Sequence, residues 1–350
     1  MPEETSPEPP PAPHRRRPRY SGKNPRRFEE KYKEHDPQRY ADTVAKVIGA
    51  GKTPAGTHRP IMVAEILETL APKPGDIAVD CTLGHGGHSQ EILARIQPGG
   101  VLLGLDADPI ELPKTEVRLR ALGFGTDAFI AKRSNFAGIA QALAEHKFSG
   151  ADVVLADLGV SSMQIDDPSR GFSVKLDGPL DMRMNPQRGQ PVSVLLEKIS
   201  PAALATLLDE NADEPHASAL GTVLAGKRFA RTAELAGAVR AALFGVKTED
   251  ASLSVRRVFQ ALRIAVNDEF SALDSLLRQL PDCMKPGGRI AILTFHSGED
   301  RRVKKSFDAG LRSGIYAAVS DGVIRPTPAE QHSNPRSAPA KLRWARRAEN

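Results

Sequence analysis

Cysteine is scarce in this 350-residue sequence, and long apolar stretches are absent from it. The two cysteines, Cys81 and Cys283, are too few for a disulfide framework or for a zinc site built from cysteines, so a reducing compartment suffices. No apolar run approaches the roughly 18 residues that a membrane-spanning helix needs. Acidic residues among the first prolines fit neither a secretory signal nor a transit peptide. We therefore expect a cytoplasmic protein with no membrane function.

Basic residues are concentrated at the two ends of the chain, although the formal net charge is only +5. Residues 14–27 contain seven Lys and Arg and no acidic residue, and residues 336–347 hold a second basic cluster. Such clusters can contact phosphate, but basic tails also serve solubility alone. Residues 1–55 are rich in Pro, Arg, Lys and Glu and lack sustained periodicity, so we expect a disordered basic tail there.

Strand-like and helix-like segments alternate from about residue 60 onward. Apolar runs of strand length lie at residues 77–81, 101–106, 128–131, 152–158 and 289–295. A strand, a helix and a second strand in succession indicate a parallel sheet. We therefore predict an α/β fold of the Rossmann-like, doubly wound type, with a mostly parallel sheet.

The alternation stops between the fourth and fifth predicted strands. A long polar loop over residues 164–190 is followed by capped helix signals, which we interpret as a helical insert at 165–250. The two parts of the main domain are then 56–164 and 251–350. Apolar residues spaced by threes and fours over 255–280 predict one long amphipathic helix that leads back into the sheet.

A glycine-rich turn joins the first predicted strand to a helix. Residues 80–89 read Asp-Cys-Thr-Leu-Gly-His-Gly-Gly-His-Ser, and such glycines let a backbone approach a ligand closely. A dinucleotide fingerprint would have glycine where Ser89 stands, so the turn favours an adenosyl ligand without a pyrophosphate. Asp106, at the carboxyl end of the next strand, is placed to bind a ribose diol, although alone it would pass for a strand-end turn residue.

Asp157 ends the fourth predicted strand, beside the expected ligand crevice. Methyl transfer from a sulfonium requires an aligned acceptor, and an exocyclic amine has its lone pair delocalised into the ring. A carboxylate at this point would align such an amine and accept its N–H bonds; the alternative role is a helix cap. Carbon methylation would need a cysteine nucleophile, and neither Cys81 nor Cys283 is placed for attack. Nitrogen is the better target.

Two other chemistries are disfavoured by spacing. Cys81, His85 and His88 match no zinc module, so we expect no metal. The segment 159–163 lacks the second glycine of a nucleophile elbow, which disfavours a serine hydrolase.

Many motifs between residues 58 and 347 resemble those of the small-subunit ribosomal RNA methyltransferase H family, the 16S rRNA cytosine-N4 methyltransferases. The matching segments are 58–60, 80–89, 134–136, 157–164, 170–173, 178–184, 259–269, 295–297, 299–301 and 334–337. Three places depart from the family pattern: Gly298 replaces a usual leucine, Asn185 a common acid, and residues 338–339 a usual Arg-Ser. Residues 1–55 lie outside the pattern.

This resemblance implies a class I methyltransferase fold that uses S-adenosylmethionine. The implied cofactor-binding residues are Gly86, Gly87, His88, Asp106, Phe136, Asp157 and Gln164. The implied reaction is N4 methylation of a decoding-site cytidine of 16S rRNA in the small ribosomal subunit, with the helical insert helping to bind RNA. Phe172 and Phe295 are candidates for stacking on a flipped base. A homodimer is left open.

Other functions remain open on the sequence. The nearest is amino-methylation of another RNA base or of DNA. From a different class, the chain fits a non-catalytic RNA-binding ribosome assembly factor that keeps a cofactor-shaped fold. A nicotinamide oxidoreductase is disfavoured by the missing third glycine.

Overall fold

The computed structural model describes residues 60–349. Residues 1–55, the predicted disordered tail, lie outside the described residues. The described strands are β1 Ile77–Asp80, β2 Val101–Asp106, β3 Phe129–Arg133, β4 Ala151–Asp157, β5 Met284–Thr294, β6 Tyr316–Val319 and β7 Lys341–Arg347. They form one sheet in the order β3-β2-β1-β4-β5-β7-β6. The first five strands are parallel, and β7 runs antiparallel between β5 and β6.

Helices connect and flank these strands. In chain order they are α1 Val63–Leu70, α2 Gly87–Ile96, α3 Glu111–Ala121, α4 Ile139–Glu145, α5 Ser162–Asp166, α6 Val192–Lys198, α7 Pro201–Ala212, α8 Ala217–Leu224, α9 Thr232–Ala242, α10 Thr248–Asn267, α11 Glu269–Cys283, α12 Ser297–Arg312 and α13 Pro328–Ser333. No helix among residues 60–349 is both long and apolar enough to cross a membrane.

Alternate side chains of the central strands enter two different cores, one on each face of the sheet. On β4, Val154 and Ala156 pack with α4, α11 and α12, whereas Val153 and Leu155 pack with α1, α2 and α3. This is the period-two pattern of a strand that is buried on both faces. The predicted doubly wound, mostly parallel α/β fold is therefore confirmed.

A third apolar core lies in the helices between β4 and β5. It joins buried side chains of α6 to α9 with those of α10, and it takes in Leu180 and Met182 from the preceding loop. The helical insert between the fourth and fifth strands is thus present, and α10 leads into α11, which packs on the sheet.

The single long helix expected over 255–280 is wrong. The segment forms two helices, α10 and α11, which meet at Asp268 in the left-handed conformation, with φ of 53°. Aspartate tolerates this conformation better than most residues. Asn267, the last residue of α10, accepts from the Met184 N–H and donates to the Met182 carbonyl, so the helix end is tied to the loop. Apolar spacing continues across the break and therefore does not reveal it.

The basic segment near the C-terminus forms β7. Arg343 donates to Asp300 at 2.7 Å, and Lys341 lies 3.4 Å from the same carboxylate. Arg347 donates to two backbone carbonyl groups. Three cations of this cluster therefore have partners within the protein. Their presence in the sequence does not require a role in binding phosphate.

Candidate active site

A cavity of about 1040 Å³ opens at the carboxyl ends of the parallel strands. Residues that follow β1, β2, β3, β4 and β5 all line it, together with the junction of α10 and α11. The strand order reverses between β1 and β4, which is where open α/β sheets bind ligands.

The glycine-rich turn forms one wall of this cavity and ends in α2. Gly86 has φ of +73°, and a Cβ on it would lie 2.9 Å from a methyl carbon of Thr115. A Cβ on Gly87 would lie 2.9 Å from the Pro60 ring. Close neighbours behind the turn thus require both glycines, which adds a packing reason to the ligand approach expected from the sequence.

Asp106 is held rigidly at the end of β2. One carboxylate oxygen accepts from the Gly84 N–H at 2.8 Å and the other accepts from the Asp108 N–H at 2.8 Å. Burial raises its pKa to about 6, and the two backbone hydrogen bonds oppose that shift. The fixed carboxylate lines the cavity and suits a diol ligand.

His88 is buried beneath Asp157. Its Nε2 lies 2.8 Å from the Ile61 carbonyl, which can only accept, so Nε2 donates this hydrogen bond. Its Nδ1 then faces the Asp157 carboxylate at 3.6 Å. The structure therefore brings two predicted site residues together and places His88 where it can support Asp157.

Asp157 presents its carboxylate to the cavity with 19% of the side chain exposed. Within residues 60–349 the structure shows no hydrogen-bond donor on its oxygens, although its backbone N–H donates to Thr82 at 2.6 Å. Burial raises the pKa of Asp157 to about 6; the charges of Asp80 and Glu299 add to the shift and His88 opposes it. This carboxylate is free to accept hydrogen bonds from a ligand.

Phe136 and Gln164 also line the cavity. Phe136 begins a short turn of 3-10 helix after β3 and packs partly against the core. Gln164 is buried rather than solvated: its carbonyl accepts from the Ser161 N–H at 3.0 Å and its amide donates to Asp108 at 2.8 Å. Sequence reasoning without the resemblance pointed to neither residue.

A buried ion pair closes the long loop over the end of β2. Arg170 donates to Asp108 at 2.8 Å, and its other terminal nitrogen donates to the Met184 carbonyl at 2.9 Å. Asp108 also caps α3 through the Ile110 N–H. Sequence reasoning missed this pair, because its members are far apart in the chain and carry no shared local pattern.

A second charged group lies on the wall formed by α10, α11 and the start of α12. It comprises Arg263, Glu269 and Glu299, all of which line the cavity. Burial would raise the pKa of Glu299, but the hydrogen bond and charge of His296, the charge of Arg263 and the Phe295 N–H hold it below its usual value. Glu299 therefore stays ionised near Asp157.

Of the two aromatic residues proposed to stack on a base, Phe295 lines the cavity. Phe172 instead packs against the third apolar core, with the Arg170 guanidinium 5.8 Å from its ring centre. Only Phe295 keeps a position suited to contact with a ligand in this cavity.

Gly298, which departs from the family pattern, is explained by a neighbour. A Cβ at this position would lie 2.6 Å from the tip of the Phe270 ring. The Arg302 guanidinium covers the same ring at 3.7 Å. Phe270 thus occupies the room that a side chain at 298 would need.

The residues present fit S-adenosylmethionine. Its ribose diol needs an acceptor, its base an apolar surface, and its sulfonium nearby negative charge. Groups of these kinds line one cavity, on Asp106, Phe136 and Asp157. Among residues 60–349, no cluster of three or more His, Cys, Asp or Glu side chains is arranged to hold a metal ion.

Comparison with known proteins gives a consistent assignment. The model of the MraW methylase family matches residues 55–348. "Ribosomal RNA small subunit methyltransferase H 1" of Lachnoclostridium phytofermentans is 48% identical, over 96% of this chain and 93% of its own. "Ribosomal RNA small subunit methyltransferase H 2" of Alkaliphilus metalliredigens is also 48% identical, over 95% of this chain and 97% of its own. "Ribosomal RNA small subunit methyltransferase H" of Rubrobacter xylanophilus is 38% identical, over 83% of this chain and 96% of its own.

The family model begins at residue 55, so the segment before it lies outside the family pattern, as expected from the sequence. An individual relative matches further, since an alignment over 96% of the chain extends into residues 1–55. Some relatives therefore share part of this segment, although the family model begins at residue 55. With a family match over residues 55–348 and a cavity that fits the donor, the chain belongs to the MraW methylase family and is an S-adenosylmethionine-dependent methyltransferase.

Proposed function

We propose that this protein methylates the N4 amino group of a decoding-site cytidine in 16S rRNA, acting on the small ribosomal subunit in the cytoplasm. The observation that carries the proposal is near-full-length similarity to proteins named ribosomal RNA small subunit methyltransferase H. The open carboxylate of Asp157, which lines a cavity that suits an adenosyl ligand, supports an amine as the acceptor.

Seven residues are proposed to hold the cofactor: Gly86, Gly87, His88, Asp106, Phe136, Asp157 and Gln164. S-adenosylmethionine supplies an electrophilic methyl group on a cationic sulfur. Asp106 accepts hydrogen bonds from the ribose, and its position is fixed by Gly84 and Asp108. His88 and Gln164 contribute to the cofactor site mainly by supporting their neighbours, because their side chains already bind Ile61 and Asp108.

Asp157 is the proposed catalytic residue. It accepts an N–H bond of the amine and so aligns the nitrogen lone pair with the methyl group. When the N–C bond forms and the S–C bond breaks, N4 carries one proton too many, and Asp157 takes it. With a pKa of about 6, this carboxylate is mostly ionised at neutral pH and can do so.

The helical insert is proposed to contact RNA. We keep its bounds at 165–250, between domain parts 56–164 and 251–350, with the basic segment 1–55 in front. Exposed cations on the insert support this role: Lys227, Arg228, Arg240 and Lys247. A monomer or a homodimer is compatible with this arrangement.

A transfer assay tests the proposal. Purified protein and methyl-labelled S-adenosylmethionine are incubated with small subunits from a strain that lacks the modification. We expect label in 16S rRNA, recovered as N4-methylcytidine, and none with fully modified subunits. Label on another base or on DNA would support the rival substrate.

A further inference from the structure

Arg263 is a buried cation whose position is fixed on one side. It lies on α10, lines the cavity and has only 15% of its side chain exposed. Its Nε and one terminal nitrogen, Nη2, donate to the two oxygens of Glu269, each at 2.8 Å. Such a bidentate pair holds the guanidinium plane in one orientation.

The other side of the guanidinium remains available. Arginine carries five N–H donors, and the pair with Glu269 uses two of them. Within residues 60–349 the structure shows no further acceptor for Arg263. Its second terminal nitrogen, Nη1, and the remaining N–H of Nη2 can therefore bind a ligand in the cavity.

Asn267 and the other arginines that line the cavity are less suited to this role. Asn267 is already occupied, because it binds Met184, Met182 and the Arg263 carbonyl. Arg133 and Arg188 are exposed, and Arg336 is 47% exposed and paired with Asp166. Among the described residues, Arg263 is the mostly buried arginine of the cavity wall.

The charge on Arg263 is secure. Burial would lower its pKa, but the charges of Glu269 and Glu299 and the hydrogen bonds that it donates to Glu269 hold the pKa above its usual value. Glu299 also interacts with Asp157, so one carboxylate lies near both residues. The cavity thus offers a hydrogen-bond acceptor, Asp157, and a permanent donor, Arg263, and both lie near Glu299.

Cytosine presents the complementary pattern along one edge. Its N4 amine donates, whereas the adjacent N3 and O2 accept. Uracil reverses the first two groups, with O4 accepting and N3 donating. A site that hydrogen-bonds such groups discriminates strongly, because a mismatched base leaves its buried polar groups unpaired.

We propose that Arg263 is a specificity-determining residue that donates to the N3 and O2 edge of the target cytosine while Asp157 accepts from its N4 amine. Glu269 is then a positioning residue that acts through Arg263. This inference rests on the proposed function and assigns a role in binding the base rather than the methyl donor.

Arg263→Met tests this role, with Arg301→Met as the matched control. Arg301 also forms a bidentate pair, with both oxygens of Asp213 at 3.0 Å, but it is 59% exposed and does not line the cavity. We expect Arg263→Met to lower kcat/KM for unmodified small subunits by about 100-fold, with the affinity for S-adenosylmethionine nearly unchanged. Arg301→Met should leave kcat/KM unchanged.

A second variant separates ligand binding from folding. Arg263→Ala, checked for native circular dichroism, should regain part of its activity when guanidinium chloride is added at a non-denaturing concentration, because the free ion can occupy the vacated position. Arg263→Lys should fall between the wild type and Arg263→Met.

Several results would overturn the inference while leaving the proposed function intact. These are unchanged kcat/KM in Arg263→Met, an equal loss of cofactor affinity, or no recovery with guanidinium. An inactive wild-type protein would instead contradict the proposed function itself.

Discussion

Asp106 and Asp157 are two carboxylates whose pKa burial raises to about 6, yet they are held differently. Asp106 accepts two backbone N–H groups and is fixed. Asp157 faces His88 at 3.6 Å and receives no hydrogen bond from the described residues. The first arrangement suits binding, and the second suits a group that must accept a hydrogen bond and a proton from substrate.

Replacing Asp157 should separate turnover from cofactor binding. We expect Asp157→Asn to lower kcat by about 10²- to 10⁴-fold, the usual contribution of a positioned acid–base group. The amide keeps the shape of the side chain but not its charge, so the Kd for S-adenosylmethionine should rise by a much smaller factor than kcat falls. Single-turnover kinetics and calorimetry measure the two effects, and equal losses in both would refute the assigned role.

The pKa of Asp157 predicts a pH limb in activity. Above its pKa of about 6 the group is a carboxylate, and below it the group is protonated and no longer accepts a proton. We therefore expect kcat for the wild type to fall as the pH drops through about 6. Because Asp157→Asn has no such group, its residual kcat should lack that limb; a limb of the same size in both proteins would point to another residue.

The same raised pKa makes a prediction about stability. A carboxyl that binds its proton more tightly when folded contributes stability below its unfolded pKa of 3.8, and this is lost as the pH rises through about 6. At neutral pH the buried charge is therefore a net cost. Asp157→Asn should raise the free energy of unfolding by about 1–3 kcal/mol at pH 7.5, with a smaller gain at pH 4.5, as measured by urea denaturation.

At the level of residues, the sequence predicts best what local order determines. The position of Asp106 and Asp157 at the cavity could be predicted because each residue ends a strand. Gln164, Asp108 and Arg170 meet through a loop that packs back on the sheet, and no local pattern encodes that contact. The resemblance pointed to Gln164 but gave no reason for its burial.

At the level of elements, the loop between β4 and α6 is held by two ion pairs of different burial. Arg170 and Asp108 are almost fully buried, whereas Arg336 and Asp166 are partly exposed. Removing one partner of a buried pair leaves an uncompensated charge, whereas an exposed pair contributes little. The buried pair should therefore control the position of the loop beside the cavity.

Arg170→Met should lower the free energy of unfolding by about 3–5 kcal/mol. The control variant Arg336→Met should change it by less than about 1 kcal/mol. Denaturant titration measures both changes, and limited proteolysis should cut the loop faster in Arg170→Met alone. Equal effects of the two variants would show that burial of the pair is not what fixes the loop.

The elements also show where sequence patterns fail. The break at Asp268 between α10 and α11 leaves the apolar spacing intact, so periodicity joins two helices into one. The basic cluster at 341–347 forms a strand that its composition does not indicate. Its charged side chains bind Asp300 and backbone carbonyl groups of the protein. In both cases long-range packing determines the secondary structure, and local composition does not.

At the level of the whole molecule, catalysis and RNA binding are assigned to different regions. The cavity belongs to the sheet and the α10–α11 junction, the exposed cations named above belong to the insert, and the sequence places seven further Lys and Arg in the N-terminal segment. Relatives share part of that segment. Its seven Lys and Arg over residues 14–27 are expected to contact phosphate.

Replacing these seven side chains by glutamine in the full-length chain should weaken binding to small subunits. Each lost phosphate contact should reduce the slope of log K against log salt by roughly 1. The affinity for S-adenosylmethionine should stay the same, since the cavity is untouched. An unchanged salt slope would assign the tail to solubility alone.

The most direct test of the central claim is mass spectrometry of 16S rRNA nucleosides from cells with and without this protein. We predict that N4-methylcytidine content at the decoding site falls when the gene is deleted, returns with the wild-type gene and does not return with Asp157→Asn. Unchanged nucleoside content in the deletion strain, or full restoration by Asp157→Asn, would contradict the account.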